Sequence, residues 1–175
     1  MFYIGIIIIC LVGTVLHFTY ELSHHNKLVA VFSAVNESTW EHIKICMTPT
    51  IIWSIYEIIS YGFNGNFLFA KSLSLLTIIL LIPLLFYSYT VFTKKSILFI
   101  DVICFYITVI ISQLVFKNII NLNVNSIYIY LSIALLVIEL ILYLLLTFKP
   151  FKNFIFKDPI TNKYGLDGHP CQHKH

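Results

Sequence analysis

The stretch VNESTWEH (35–42) sets Glu37, Glu41 and His42 close together just ahead of a long apolar run. On a helix the two glutamates fall one turn apart on one face, and His42 pairs in the same way with Cys46. Carboxylate and imidazole side by side can ligate a transition metal or pass a proton. Upstream, HFTYELSHHN (17–26) puts His17 and Glu21 one turn apart, with His24 on the same face if the helix persists. The chain ends HPCQHKH (169–175), a short His/Cys tract of the kind that signals metal binding by composition. The expected ligands are therefore His17, Glu21, His24, Glu41, His42, His169, Cys171, His173 and His175, with a divalent transition metal such as zinc as cofactor. Glu37 and Glu41 are the candidate catalytic acids, one of them serving as general base on metal-bound water.

A plainer reading stands beside this one. Asn36 can cap the following helix with Val35 and Trp40 as a hydrophobic staple, or Ser38 can cap it with Glu41 closing a capping box. Acids favour the positive N-terminal end of a helix, and Trp anchors at a membrane interface. The terminal His/Cys tract can equally be a loose end that meets metal only incidentally.

The elements that must position these residues are membrane spans. The chain has 175 residues, 59% hydrophobic and 11% charged, against roughly a quarter charged in soluble domains. A spanning helix needs about 20 mostly apolar residues. Five stretches qualify, at 2–21, 39–61, 68–92, 96–117 and 125–148, separated by HHNK, GFNGN, TKKS and NLNVN. The predicted fold is all-α: a five-helix transmembrane domain over 1–148 and a cytoplasmic tail over 149–175. No basic region precedes the first apolar stretch and no small-residue cleavage site follows it, so it reads as a retained helix. Between the first two spans, Leu28, Val31, Phe32 and Val35 recur at helical spacing, which predicts a short helix lying at the interface.

Lysine asymmetry gives the expected orientation. The first loop, third loop and tail side hold Lys27, Lys44, Lys94, Lys95, Lys149, Lys152, Lys157 and Lys163, while the other side holds Lys71 and Lys117. The N-terminus is thus expected outside and the C-terminus in the cytoplasm of a bacterial membrane. All 11 basic residues are lysine, so bidentate guanidinium clamps on phosphate or carboxylate are excluded within the chain. The net charge of +3 comes mainly from lysines flanking the spans and gives no case for nucleic acid as a partner. The expected partners are the lipid bilayer and a second copy of the chain. Cys10, Cys46 and Cys104 lie in apolar runs without CxxC spacing and read as small buried residues.

Three acids fall inside spans. By helical rise, Asp101 lies about 10 Å past Lys95 and Glu139 about 15 Å from Lys149. An ionised acid at such depth costs about 2.5 kcal/mol or more, so each should face protein, with His17 the expected partner. Glu57 lies near the outer end of the second span and can reach the interface. Pro49 should free a carbonyl in that span.

The segment LHFTYELSHHNKLVAVFSAVNESTWEHIK and the tail stretch DPITNKYG resemble a family of small bacterial multi-pass membrane proteins known only as a domain of unknown function. That resemblance covers the first third and the tail. It implies this architecture and no activity. HExxH, the Glu-Glu-x-x-x-Arg element of CAAX proteases and the HxxHH boxes of desaturases are all missing. Ceramidase-like hydrolases share membrane His and acidic ligands, but not at this spacing. Three functions stay open: a metal-dependent membrane hydrolase acting on a lipid-like substrate, a small proton or metal-ion transporter using the intramembrane acids, and an accessory or scaffold protein.

Overall fold

The computed structural model describes residues 2–169. Five helices carry the chain: α1 (Phe2–Leu22), α2 (Thr39–Tyr61), α3 (Gly65–Thr93), α4 (Leu98–Ile119) and α5 (Ser126–Phe148). All five are long and apolar enough to cross a membrane, and their ends fall close to those read from the sequence. Their limits have local causes. The Asn64 side chain accepts from Phe67 N–H at the start of α3, and Asn125 does the same for Ile127 at the start of α5. Gly62, with φ +78°, ends α2 in a conformation that suits glycine.

Packing centres on α3, which lies against α2, α4 and α5, while α1 packs on α2 and α4. Ile9, Ile43, Met47, Leu75, Ile78, Phe105 and Val109 fill the core. Outward, Ile7, Leu11, Val15, Leu84, Val91 and Ile138 are exposed around the bundle. An apolar surface of this extent is compatible with lipid rather than water against it. Pro49 sits inside α2 and lacks the N–H that the Ile45 carbonyl would accept. Gly13 of α1 faces that carbonyl: a Cβ there would stand 2.9 Å from Ile45 O and 2.5 Å from Phe105 Cζ. The close approach of α1, α2 and α4 therefore depends on glycine at position 13.

The segment joining α1 to α2 differs from the expectation. It is a single 3-10 turn, Val29–Val31, whose apolar residues divide: Leu28 and Phe32 face outward, Ala30 and Val35 are buried. Its backbone carbonyls are satisfied from the bundle. Lys44 Nζ donates to Ala30 O at 2.7 Å, Tyr143 OH to Val31 O at 2.9 Å, and Thr48 Oγ1 lies 3.0 Å from Phe32 O. Thr48 is roughly 13 Å along α2 by helical rise, so the loop descends into the bundle instead of lying flat on it. Irregular backbone at that depth is tolerable only when protein satisfies it.

After α5 the chain folds back over the start of α2. Ile155 O accepts from Trp40 N–H at 3.0 Å. A turn closed by the Lys157–Tyr164 bridge and a 3-10 turn at Gly165–Gly168 complete the described tail.

Candidate metal centre

Three separate segments meet at the tail end of the bundle. His17 comes from the penultimate turn of α1, Glu37 from the loop and His42 from the first turn of α2. His17 Nε2 lies 3.5 Å from Glu37 Oε1, and His42 Nε2 lies 3.9 Å from Glu37 Oε2. One ligand atom from each residue falls within 4.8 Å of the others. Zn–N and Zn–O bonds of about 2.0–2.2 Å at tetrahedral angles put neighbouring ligand atoms roughly 3.4 Å apart, so small side-chain shifts would close the group on an ion.

Two of the members are held in place by bonds from outside the group. His42 Nδ1 is 3.0 Å from the Ser38 carbonyl. A proton on Nδ1 makes that bond and leaves the Nε2 lone pair directed at the group, which is how ligating histidines are commonly oriented. Glu37 is fixed through its backbone, its N–H donating to Asp158 Oδ1 at 3.0 Å. Asp158 is itself fully buried, and its second oxygen accepts from Thr161 N–H and Thr161 Oγ1. Asn36 ties the same two segments: its Oδ1 accepts from Ser38 N–H and its Nδ2 donates to Gly165 O, both at 2.8 Å. Gly168 must be small here, because a Cβ would stand 2.9 Å from Asn36 Nδ2.

Two hollows flank the cluster. On one side a pocket of about 180 Å³ is lined by His17, Glu21, Asn36, Glu37 and His169. On the other, a cleft of about 410 Å³ runs between α1 and α4 over α2, lined mostly by apolar groups including Phe18, Ile45, Val102 and Phe105. His17 and Glu37 belong to both walls.

The other expected ligands are distributed differently. Glu41 is 1% exposed and turned away from the group, its Oε2 2.7 Å from Lys44 Nζ and accepting from Val35 N–H at 3.0 Å. It closes no capping box, and it is neither in the metal group nor available as the base on water. Ser38 holds the N-cap position without a side-chain bond. His24 also drops out of the helical face, because α1 stops at Leu22 and His24 (φ +54°) lies exposed in the turn beyond. Glu21 and His169 border the pocket without joining the three-residue group. His169 is buried, with its ring centroid 4.4 Å from that of His25 and 5.2 Å from that of Tyr20. Burial, then the neighbouring His25, push its pKa below the ordinary histidine value, against weaker opposing pulls from Glu21 and Asp158. Cys171, His173 and His175 lie outside the described residues.

The acids within the helices have three separate sets of partners, none of them His17, although Asp101 lines the same cleft as His17, Glu37 and His42. Asp101 accepts from Tyr89 OH at 2.5 Å and from Ser96 Oγ at 2.7 Å. Glu57 is buried against Lys71 at 2.5 Å, and the Lys71 ammonium sits 4.3 Å from the centre of the Phe116 ring. Glu139 is 3% exposed, and neither carboxyl oxygen has a hydrogen-bond partner among the described residues.

Reading the sequence alone takes Lys44 only as a flanking charge and Asn36 only as a candidate helix cap, and gives Asp158 no part in the site. Lys44 sits three residues after Glu41, a spacing that favours pairing on a helix. Asp158 and Asn36 carry no comparable signal for the bonds that join loop to tail, since those partners are more than 120 residues away.

No curated protein and no solved structure matches the chain. A family model matches residues 1–166, running through the middle helices as well as the first third and the tail, and the chain belongs to that family, DUF6512, a family of unknown function.

Proposed function

We propose that His17, Glu37 and His42 hold a divalent transition metal ion, zinc being the first candidate, and that the protein is a membrane hydrolase acting on a lipid-like substrate. The observation that carries this reading is the convergence of three ligand atoms from three separate segments within 4.8 Å. Three protein ligands leave a fourth position for water, the arrangement of catalytic rather than structural zinc sites. A bound metal lowers the pKa of that water from 15.7 to about 7 and polarises a carbonyl. With Glu41 committed to Lys44, the acceptor for the water's proton is the Glu37 carboxylate oxygen that does not ligate. Lysine asymmetry favours the cytoplasmic face of a bacterial membrane for this centre. A transporter would need the intramembrane acids to share a path, whereas Glu57 is paired with Lys71 and Asp101 with Tyr89 and Ser96.

The test is metal content by mass spectrometry after purification in mild detergent without chelator. About one ion per wild-type chain is expected, with loss in His42→Ala and in Glu37→Gln. An empty wild-type protein that also fails to take up added zinc would sink the proposal.

A further inference from the structure

We infer that the cleft between α1 and α4 takes the acyl chain of a membrane lipid, so that the bond joining chain to head lies at His17, Glu37 and His42. The chemistry at that bond rests on the metal reading above; the chain site itself does not. The two hollows differ in character. The pocket beyond the cluster has Glu21, Asn36 and His169 in its wall beside the apolar Phe18, Ala34 and Val35, which makes it the more polar of the two and suits it to water and a polar head. Along the cleft, Phe18, Ile45, Leu98, Val102 and Phe105 offer nothing to a polar ligand; of the polar groups in its wall away from the cluster, Asp101 is already bonded by Tyr89 and Ser96, and Thr14 donates to Cys10 O. Leu98 to Phe105 spans about 10 Å along α4 by helical rise. A single leaflet of the hydrocarbon region is about 15 Å deep, so a chain seated here would fill the cleft and continue into the bilayer.

The mouth of the cleft opens toward lipid. Phe18 and Leu98 at its rim are 55% and 73% exposed, and α1 and α4 also present Leu11, Val15, Phe99 and Ile103 outward. Phe105 against Gly13 closes the deep end, where even a methyl group on residue 13 would collide with the ring. A soluble substrate would have to cross this apolar rim, whereas a lipid already in the membrane reaches it by lateral diffusion. The occupant favoured by the setting is therefore a chain from the bilayer.

The experiment uses the full-length protein in phosphatidylcholine vesicles with a long-chain fatty acid bearing a diazirine in the carboxyl-proximal half of its chain. Cross-linked residues are mapped by mass spectrometry, and metal content is measured on the same samples. Labelling should concentrate on Phe18, Val102 and Phe105 and be displaced by excess unlabelled fatty acid. It should fall about tenfold in Val102→Trp and in Leu98→Trp, the loss expected when roughly two methylenes leave the cleft. Val91→Trp, on the outer face of α3, should label as wild type does. Label spread evenly over outward residues such as Val91 and Ile138, undisplaced by competitor, would overturn the inference while leaving the metal result untouched. Cleft-specific label on a protein without metal would uphold the chain site and remove the hydrolase.

Discussion

Glu37 and Glu41 stand one helical turn apart in sequence and lead opposite lives. Glu41, with Lys44, forms a closed pair: both side chains are buried, and each also bonds loop backbone, Val35 N–H and Ala30 O. Glu57 and Lys71 form a second closed pair toward the other end of the bundle. Glu37 faces two imidazoles, is 38% exposed at its side chain, and borders two hollows. Closed pairs spend their bonding capacity on holding segments together. The open cluster pairs its members only with one another among the described residues, and it is held from behind by Asp158 and Ser38. Burial and backbone partners separate a structural acid from a candidate ligand here, where residue type and spacing do not.

The sharpest way to break that contrast is to remove one partner of the closed pair. Glu41→Gln leaves the Lys44 ammonium buried without its counter-charge, a change that costs about 3–5 kcal/mol in comparable pairs. Loss of folded protein in mild detergent is expected, and Glu41→Gln with Lys44→Met together should recover much of it. A well-folded Glu41→Gln protein that had lost metal instead would reverse the roles assigned to the two acids. Next in size, Glu37→Gln should leave thermal unfolding of the metal-free protein nearly unchanged. It should abolish the stabilisation that zinc gives, which for wild type is about 2.7 kcal/mol at a hundred times Kd. Smaller again, Asp158→Ala should keep all three ligands and lose their positioning. Supporting residues of this kind carry about 10–100-fold in metal affinity, to be read by competition with a chelating dye.

The five helices were legible because the length of an apolar run is enough to specify a span. The loop before α2 was not. Leu28, Val31, Phe32 and Val35 have the period of a surface helix, yet the carbonyls of Ala30, Val31 and Phe32 find donors on α2 and α5 that no local pattern announces. Lys44 entered the orientation argument as a flanking charge and is a buried counter-ion; Lys71 is its equivalent on the opposite side, so the asymmetry survives the loss of both. Of the candidate site, His17, His42 and Glu37 were visible as residue types near one end of the bundle. Separating Glu37 from Glu41 required knowing where Lys44 and Asp158 lie.

The smallest expected effect concerns the tail, the piece that joins the two kinds of cluster. His169 packs against His25 and Tyr20 and borders the same pocket as His17 and Glu37. Its pKa is held below the ordinary value by burial and by His25, with Glu21 and Asp158 opposing. Proton linkage fixes the sign. An undocked tail takes up a proton near pH 6.5, whereas a docked one resists it to lower pH. Docking of residues 165–169 is thus fully favoured above about pH 6.5 and weakens as pH falls from there toward the depressed docked value. Amide hydrogen exchange at these residues, corrected for its intrinsic pH dependence, should show protection falling across that interval. His169→Phe, which keeps a ring against Tyr20 and cannot take a proton, should flatten the profile. If the variant kept the wild-type pH dependence, the titrating group would lie elsewhere in the pocket, and the tail would be a fixed wall of the open site instead of a movable one.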